Sequence, residues 1–227
     1  MARTLDPTAH ALRRDEFIDV AQRLIAQKGY DALSIQEVLD ELGASKGAFY
    51  HYFDSKGSLL EAVVERMTDT AFTLLAGLTD DPDLRPPQKF ERLFSSLADF
   101  KSQRRDFLLS LIEVWYSDGN ALMREHLRRG MVVRLQPVLA DIVQQGRADG
   151  SFTTQDPDAV AGVIVSLMQG ANETAGRLYL AYEDGAATID DVERTLQGYS
   201  IALDRILGLP DGSLVVGDPA VLRQWFA

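Results

Sequence analysis

Apolar residues along this chain recur at intervals of three and four and almost never alternate by two, a pattern that a helix can bury on one face and a strand cannot. The sequence therefore predicts an all-α fold. Phe17, Ile18, Ala21, Leu24 and Ile25 form one stripe over about residues 15–28, with Gly29 placed as a left-handed C-terminal cap. Ser34 opens a second helix with Glu37 three residues on, the spacing at which each side chain satisfies the other's backbone. Ile35, Val38, Leu39 and Leu42 are its buried face, Gly43 ends it, and Ser45 caps a third, short helix through Phe53. Two helices joined by so short a Gly-containing turn make a helix-turn-helix.

A fourth helix starts near Ser55, where Ser58 and Glu61 are spaced as another capping box, and its stripe of Leu59, Leu60, Val63, Val64, Met67, Ala71, Leu74 and Leu75 carries it to about Gly77. Residues 79–88, rich in Pro and Asp, read as a connecting loop. Helices follow at about 89–103, 106–117, 120–147, 157–182 and 188–207, with Pro137 expected to kink or split the third of these. After Leu209 the pattern predicts a loop and a short helix ending in Trp225 and Phe226. The expected division is a helix-turn-helix domain at 1–54, a linking helix at 55–78 and a larger helical domain at 79–227.

Composition narrows the function. The chain of 227 residues is 46% hydrophobic and 25% charged, enough to bury a substantial core. It has no Cys, which excludes disulfides, thiolate zinc sites and thiol nucleophiles. The longest uncharged apolar stretch, 159–172, is too short to span a membrane, and residues 1–14 lack the apolar core of an export signal, so a cytoplasmic protein is expected. Its three His residues, with no HExxH, GxSxG or Gly-rich phosphate loop, offer little to an enzyme, and no catalytic residue, metal site or cofactor is expected. The net charge of -11 argues against a surface that binds nucleic acid everywhere. The window 43–58 is the exception, with Lys46 and Lys56 against Asp54 alone.

In a helix-turn-helix that reads DNA, the second helix enters the major groove with its N-terminal residues at base edges. Helical spacing puts Phe49 and Phe53 together as anchors and presents Lys46, Gly47, Tyr50 and His51 on the opposite face. The same bare pattern also occurs in helical domains that never touch DNA, and Tyr50, Tyr52 and Phe53 could all be core.

The stretch from Arg14 to Leu60, with the run FIDVAQRLIAQKGYDALSIQEVLDELGASKGAFYHYFDSKGSLL, resembles the N-terminal domain of the tetracycline-repressor (TetR) family of transcriptional regulators. The resemblance rests on Arg14 seven residues before Ala21, the KGY ending, the Ser opening the second helix, and the GxSKGxxYxxFxSKxxL run. It implies DNA contacts at Lys46, Gly47, Ala48, Tyr50 and His51, with Ser34, Gln36, Lys56 and Arg14 near phosphates or groove edges. Gly57 departs from the Glu frequent in the family. The resemblance further implies a homodimer on a palindromic double-stranded operator, and a small-molecule effector that releases the repressor.

Dimerisation is expected along Gly162, Ser166, Gly170 and Thr174, a small-residue strip at every fourth position, together with Leu196, Tyr199 and Leu203 of the last long helix. Packing within one chain is the competing reading of that strip. Candidate effector contacts are Phe100, Phe107, Leu111, Glu113, Trp115, Tyr116, Met123, Met168, Asn172 and Tyr179, which combine apolar area with polar tips, although such stripes are often plain core. A helical adaptor that keeps the fold without binding DNA is the alternative function.

Overall fold

The computed structural model describes residues 7–216 and 218–226; of the segment read for an export signal, residues 1–6 lie outside the described residues. Among the described residues ten α-helices run in order: α1 (Pro7–Lys28), α2 (Ile35–Leu42), α3 (Lys46–Tyr50), α4 (Lys56–Thr73), α5 (Pro86–Ser102), α6 (Arg105–Tyr116), α7 (Ala121–Asp149), α8 (Pro157–Glu183), α9 (Ile189–Leu207) and α10 (Pro219–Trp225). Among the described residues there is no strand, so the fold is all-α. The chain divides into two compact units, one of Met1–Ala71 with Asp106–Met123, the other of Phe72–Arg105 with Arg124–Ala227.

Several helix ends differ from the sequence reading. α1 starts eight residues earlier than the apolar stripe indicates, because its first turns are held by rings and cations rather than aliphatic groups: His10 against Tyr52, Arg13 over Phe17 and Arg14 over Phe53. The predicted Ser58–Glu61 box is instead a Ser55–Ser58 exchange, with each backbone N–H donating to the other's hydroxyl at 3.0 Å. α5 begins at Pro86, since a proline in the first helical turn loses no hydrogen bond there. α7 runs unbroken through Pro137; that residue and Val133, four positions earlier, are both exposed, on the side where water can replace the missing bond.

The first unit buries Phe17, Ile18, Ala21, Leu24 and Ile25 of α1 with Val38 and Leu39 of α2, Phe49 of α3, and Leu59, Leu60, Val63 and Val64 of α4. The second unit is built around Phe90 and Leu93 of α5, Leu135, Leu139, Ile142 and Val143 of α7, Ile164, Val165 and Met168 of α8, and Leu203 and Leu207 of α9. Phe152 enters this core over Gly146, where a Cβ would lie 2.0 Å from the ring, so only glycine permits the approach. Lys89, almost fully buried, donates to the Thr79 carbonyl at 2.6 Å and to Gln145 Oε1 at 2.7 Å, and so pins the loop that precedes α5. The chain after α9 is tied down too. Asp204, completely buried, accepts backbone N–H bonds from Gly212 at 2.7 Å, Ser213 at 3.1 Å and Leu214 at 3.0 Å, and Ser200 Oγ accepts from Val216.

Candidate nucleic-acid interface

The turn between α2 and α3 is set by side chains that compete for backbone groups. Ser34 Oγ accepts from the Glu37 N–H while the Glu37 carboxylate accepts from the Ser34 N–H at 2.9 Å, closing the expected box. Glu37 also pairs with Lys28 at the end of α1, and with the Ser34 bonds this holds its carboxyl at about 2 instead of 4.5. Gly43 ends α2 at φ 57°, a left-handed conformation that glycine adopts without strain, and the Ala44 N–H returns to the Leu39 carbonyl. Ser45 then caps α3 by accepting from the Ala48 N–H at 3.2 Å.

α3 presents two unlike faces. Phe49 is fully buried, its ring 5.9 Å from Phe17 and 5.6 Å from Phe53, which is buried as well. Lys46, Gly47, Tyr50 and His51 are exposed, Tyr50 with 54% of its surface open, and Ala48 is half-buried. Among the described residues Lys46 has no hydrogen-bond or ion-pair partner. Nearby acids are not so free: Glu37, Glu41, Asp19 and Glu16 pair with Lys28, Arg23, Arg66 and Arg13, respectively. These four carboxylates are thus held by cations of their own unit, which weakens their repulsion of an anion at the α3 face.

The remaining predicted contacts occupy its margins. Ser34 is exposed beside its cap, and exposed Gln36 donates to Asp40 Oδ1 at 2.7 Å. Arg14 lies over the Phe53 ring at 5.4 Å. Lys56 sits 4.1 Å over the Tyr30 ring and donates to the Asp31 carbonyl; burial lowers its pKa, against the opposing pull of Asp31. His10, which precedes the residue-15 start that the apolar stripe gives the first helix, packs against the end of α3. Its ring lies 5.2 Å from His51 and 4.6 Å from Tyr52, which joins the first turns of α1 to the end of α3. The spacing of His10, Arg14, Phe17 and Ala21 along one helical stripe is the signal that finds it.

The predicted effector contacts fall in both units. Phe107 and Leu111 are buried, Trp115, Tyr116 and Met123 half-buried and Glu113 exposed in the first. In the second, Phe100 and Met168 are buried, Tyr179 is half-buried, and Asn172 is exposed and accepts from Lys101. Of the predicted dimer strip, Gly170 faces the Tyr199 ring within the chain, Thr174 Oγ1 lies 2.9 Å from Tyr199 OH, and Gly162 faces Gln136 of α7. Leu196 and Leu203 are buried, while Ser166 is exposed with its hydroxyl donating to the Gly162 carbonyl.

Comparison with known proteins decides the family. Residues 17–63 match the model of bacterial regulatory proteins of the tetR family. The HTH-type transcriptional repressor KstR2 of Rhodococcus jostii is 33% identical over 209 residues, which cover 88% of this chain and 93% of that protein. The chain belongs to the TetR family. A second relative, the HTH-type regulator YerO of Bacillus subtilis, is 31% identical over 102 residues, and the chain spans only about a third of its length: the match covers 44% of this chain and 35% of YerO. A TetR transcription regulator from Haloarcula marismortui shares the fold, with a TM-score of 0.61 at 20% identity over 87% of this chain and 97% of that one. TetR-family proteins such as these are transcriptional regulators and not enzymes. No helix among the described residues is long and apolar enough to cross a membrane.

Proposed function

We propose that this TetR-family chain is a homodimeric transcriptional repressor that grips a palindromic operator through α3 of each copy and is released by a small-molecule effector. The observation that carries the reading is the division of α3 into a buried anchor, Phe49, and an exposed face of Lys46, Gly47, Tyr50 and His51. That face offers a cation, a gap for close backbone approach and two hydrogen-bonding rings, the set that phosphate and base-edge contact requires. Arg14, Ser34, Gln36, Ala48 and Lys56 border it. A folded domain has no need to expose so large an aromatic as Tyr50 next to a cation without a partner.

Dimerisation is assigned to the sides of α8 and α9 that the chain itself leaves open, with Gly162, Ser166, Gly170, Thr174, Leu196, Tyr199 and Leu203 shaping that helix pair. The effector is assigned to the second unit, among the helices that carry Phe100, Met168, Asn172 and Tyr179. It acts by population shift, favouring the dimer whose two α3 helices are wrongly spaced for the operator. The residue sequence of α4 continues from the first unit into the second, which makes it the covalent route for that coupling.

Selection of bound sequences from a random duplex pool tests the proposal. The expected winner is a two-fold symmetric site whose half-sites lie about one helical turn apart, and whose affinity falls steeply with salt. A folded protein that enriches nothing at low salt contradicts it and favours a helical adaptor.

A further inference from the structure

Lys101, near the end of α5, donates from Nζ to Asn172 Oδ1 of α8 at 2.6 Å. Among the described residues no carboxylate lies within ion-pair distance of this ammonium, and the amide oxygen is its sole hydrogen-bond partner. The residue keeps part of its surface exposed, yet enough protein surrounds the ammonium that desolvation holds its pKa below the ordinary lysine value. Lys89 shows what a purely structural lysine of this fold looks like: deeply buried, it is satisfied by two acceptors and ties a loop to a helix. Lys101 is crowded by protein yet has one neutral acceptor, and among the described residues no carboxylate balances its charge.

Arg105, the first residue of α6, donates to the Trp225 carbonyl at 3.1 Å, and burial, then Glu183, raise the pKa of the Tyr179 phenol while Arg105 opposes them. Tyr179 is seven residues beyond Asn172 on α8, on the same face, and its ring packs at a tilt against Phe226, with centroids 5.5 Å apart. Ser102 Oγ, next to Lys101 in sequence, is buried with no hydrogen-bond partner among the described residues. Phe100 of α5 and Met168 of α8 supply buried apolar surface on the same two helices.

Resting on the effector reading above, we infer that the effector is an amphiphilic carboxylate whose head binds Lys101 and Asn172. While Asn172 Oδ1 accepts from Lys101, its Nδ2 remains a donor, so ammonium and amide together offer one donor to each carboxylate oxygen. The apolar remainder of the ligand is matched by the aromatic and thioether groups of α5, α8 and α10.

The test uses the full chain with isotopically labelled lysine side chains, the Lys101 signal being identified by its loss in Lys101→Gln. Sodium decanoate and the neutral decanamide are the probes. Decanoate is expected to move the Lys101 signal and to raise its pKa toward the ordinary lysine value; decanamide is not. Lys101→Gln, whose amide can still donate to Asn172, should melt no lower than the wild type and bind decanoate at least about tenfold more weakly. Equal binding of both probes, or undiminished decanoate binding by Lys101→Gln, overturns the carboxylate assignment and leaves the effector reading standing. Silence toward both probes overturns the assignment as well; the effector reading is judged separately, by whether operator affinity responds to any small molecule that the protein retains from a cell extract.

Discussion

Phe49 of α3 packs edge-on against Phe17 of α1 with ring centroids 5.9 Å apart, and both side chains are fully inaccessible to water. A helix of five residues has almost no stability of its own, so this contact and its neighbour Phe53 decide where Lys46, Tyr50 and His51 point. Phe49→Ala is expected to cost about 3–5 kcal/mol and to abolish DNA binding through loss of fold, whereas Phe49→Leu keeps most of both. Thermal melting of the two variants beside the wild type checks this.

The Ser34–Glu37–Lys28 arrangement makes a pH prediction. The folded-state pKa of Glu37 is lowered, first by Lys28 and then by Ser34, from 4.5 to about 2, so its contribution to stability is fully present above the unfolded value and is lost as pH falls through this interval. The difference in melting temperature between wild type and Glu37→Gln should be constant at neutral pH and shrink between pH 4.5 and pH 2. A difference that persists unchanged in acid would show that the carboxylate charge is not what closes the box.

Asp204 makes the segment after α9 part of the fold. Its replacement by Ala leaves three backbone N–H groups of residues 212–214 without their acceptor, at a cost of at least about 3 kcal/mol. Hydrogen exchange should report the loss first at Gly212, Ser213 and Leu214.

His10 is expected to steady the DNA-facing end of α3 through the His51 and Tyr52 rings. His10→Ala should weaken operator binding severalfold, as removal of about 1 kcal/mol of ring contact implies, and shift the melting temperature little. Fluorescence anisotropy on a selected duplex measures it.

The helix-turn-helix is legible in the sequence because its signals are local: Ser34 with Glu37, Gly43 and Ser45 each act within four residues, and the structure uses every one of them. The buried anchors Phe49 and Phe53 follow from helical spacing alone. What the sequence hides depends on distant partners. The first turns of α1 carry no aliphatic stripe and are held by aromatic residues some forty positions away. Lys89, Lys101 and Asp204 look like ordinary surface charges in one dimension, and only the fold brings Gln145, Asn172 and the 212–214 amides to them. Pro137 misleads for the opposite reason: the rule that proline breaks a helix assumes that the lost bond cannot be replaced by water.

The central claim, that the exposed face of α3 holds DNA, is tested most directly by comparing Lys46→Glu and Tyr50→Ala with the wild type on the selected duplex, with a thermal melt of each. Both side chains are exposed and neither is part of the buried core. Melting temperatures within a degree or two of wild type, roughly ±0.5 kcal/mol in stability, are expected together with loss of specific binding. Two folded variants that bind the operator as tightly as the wild type would contradict it.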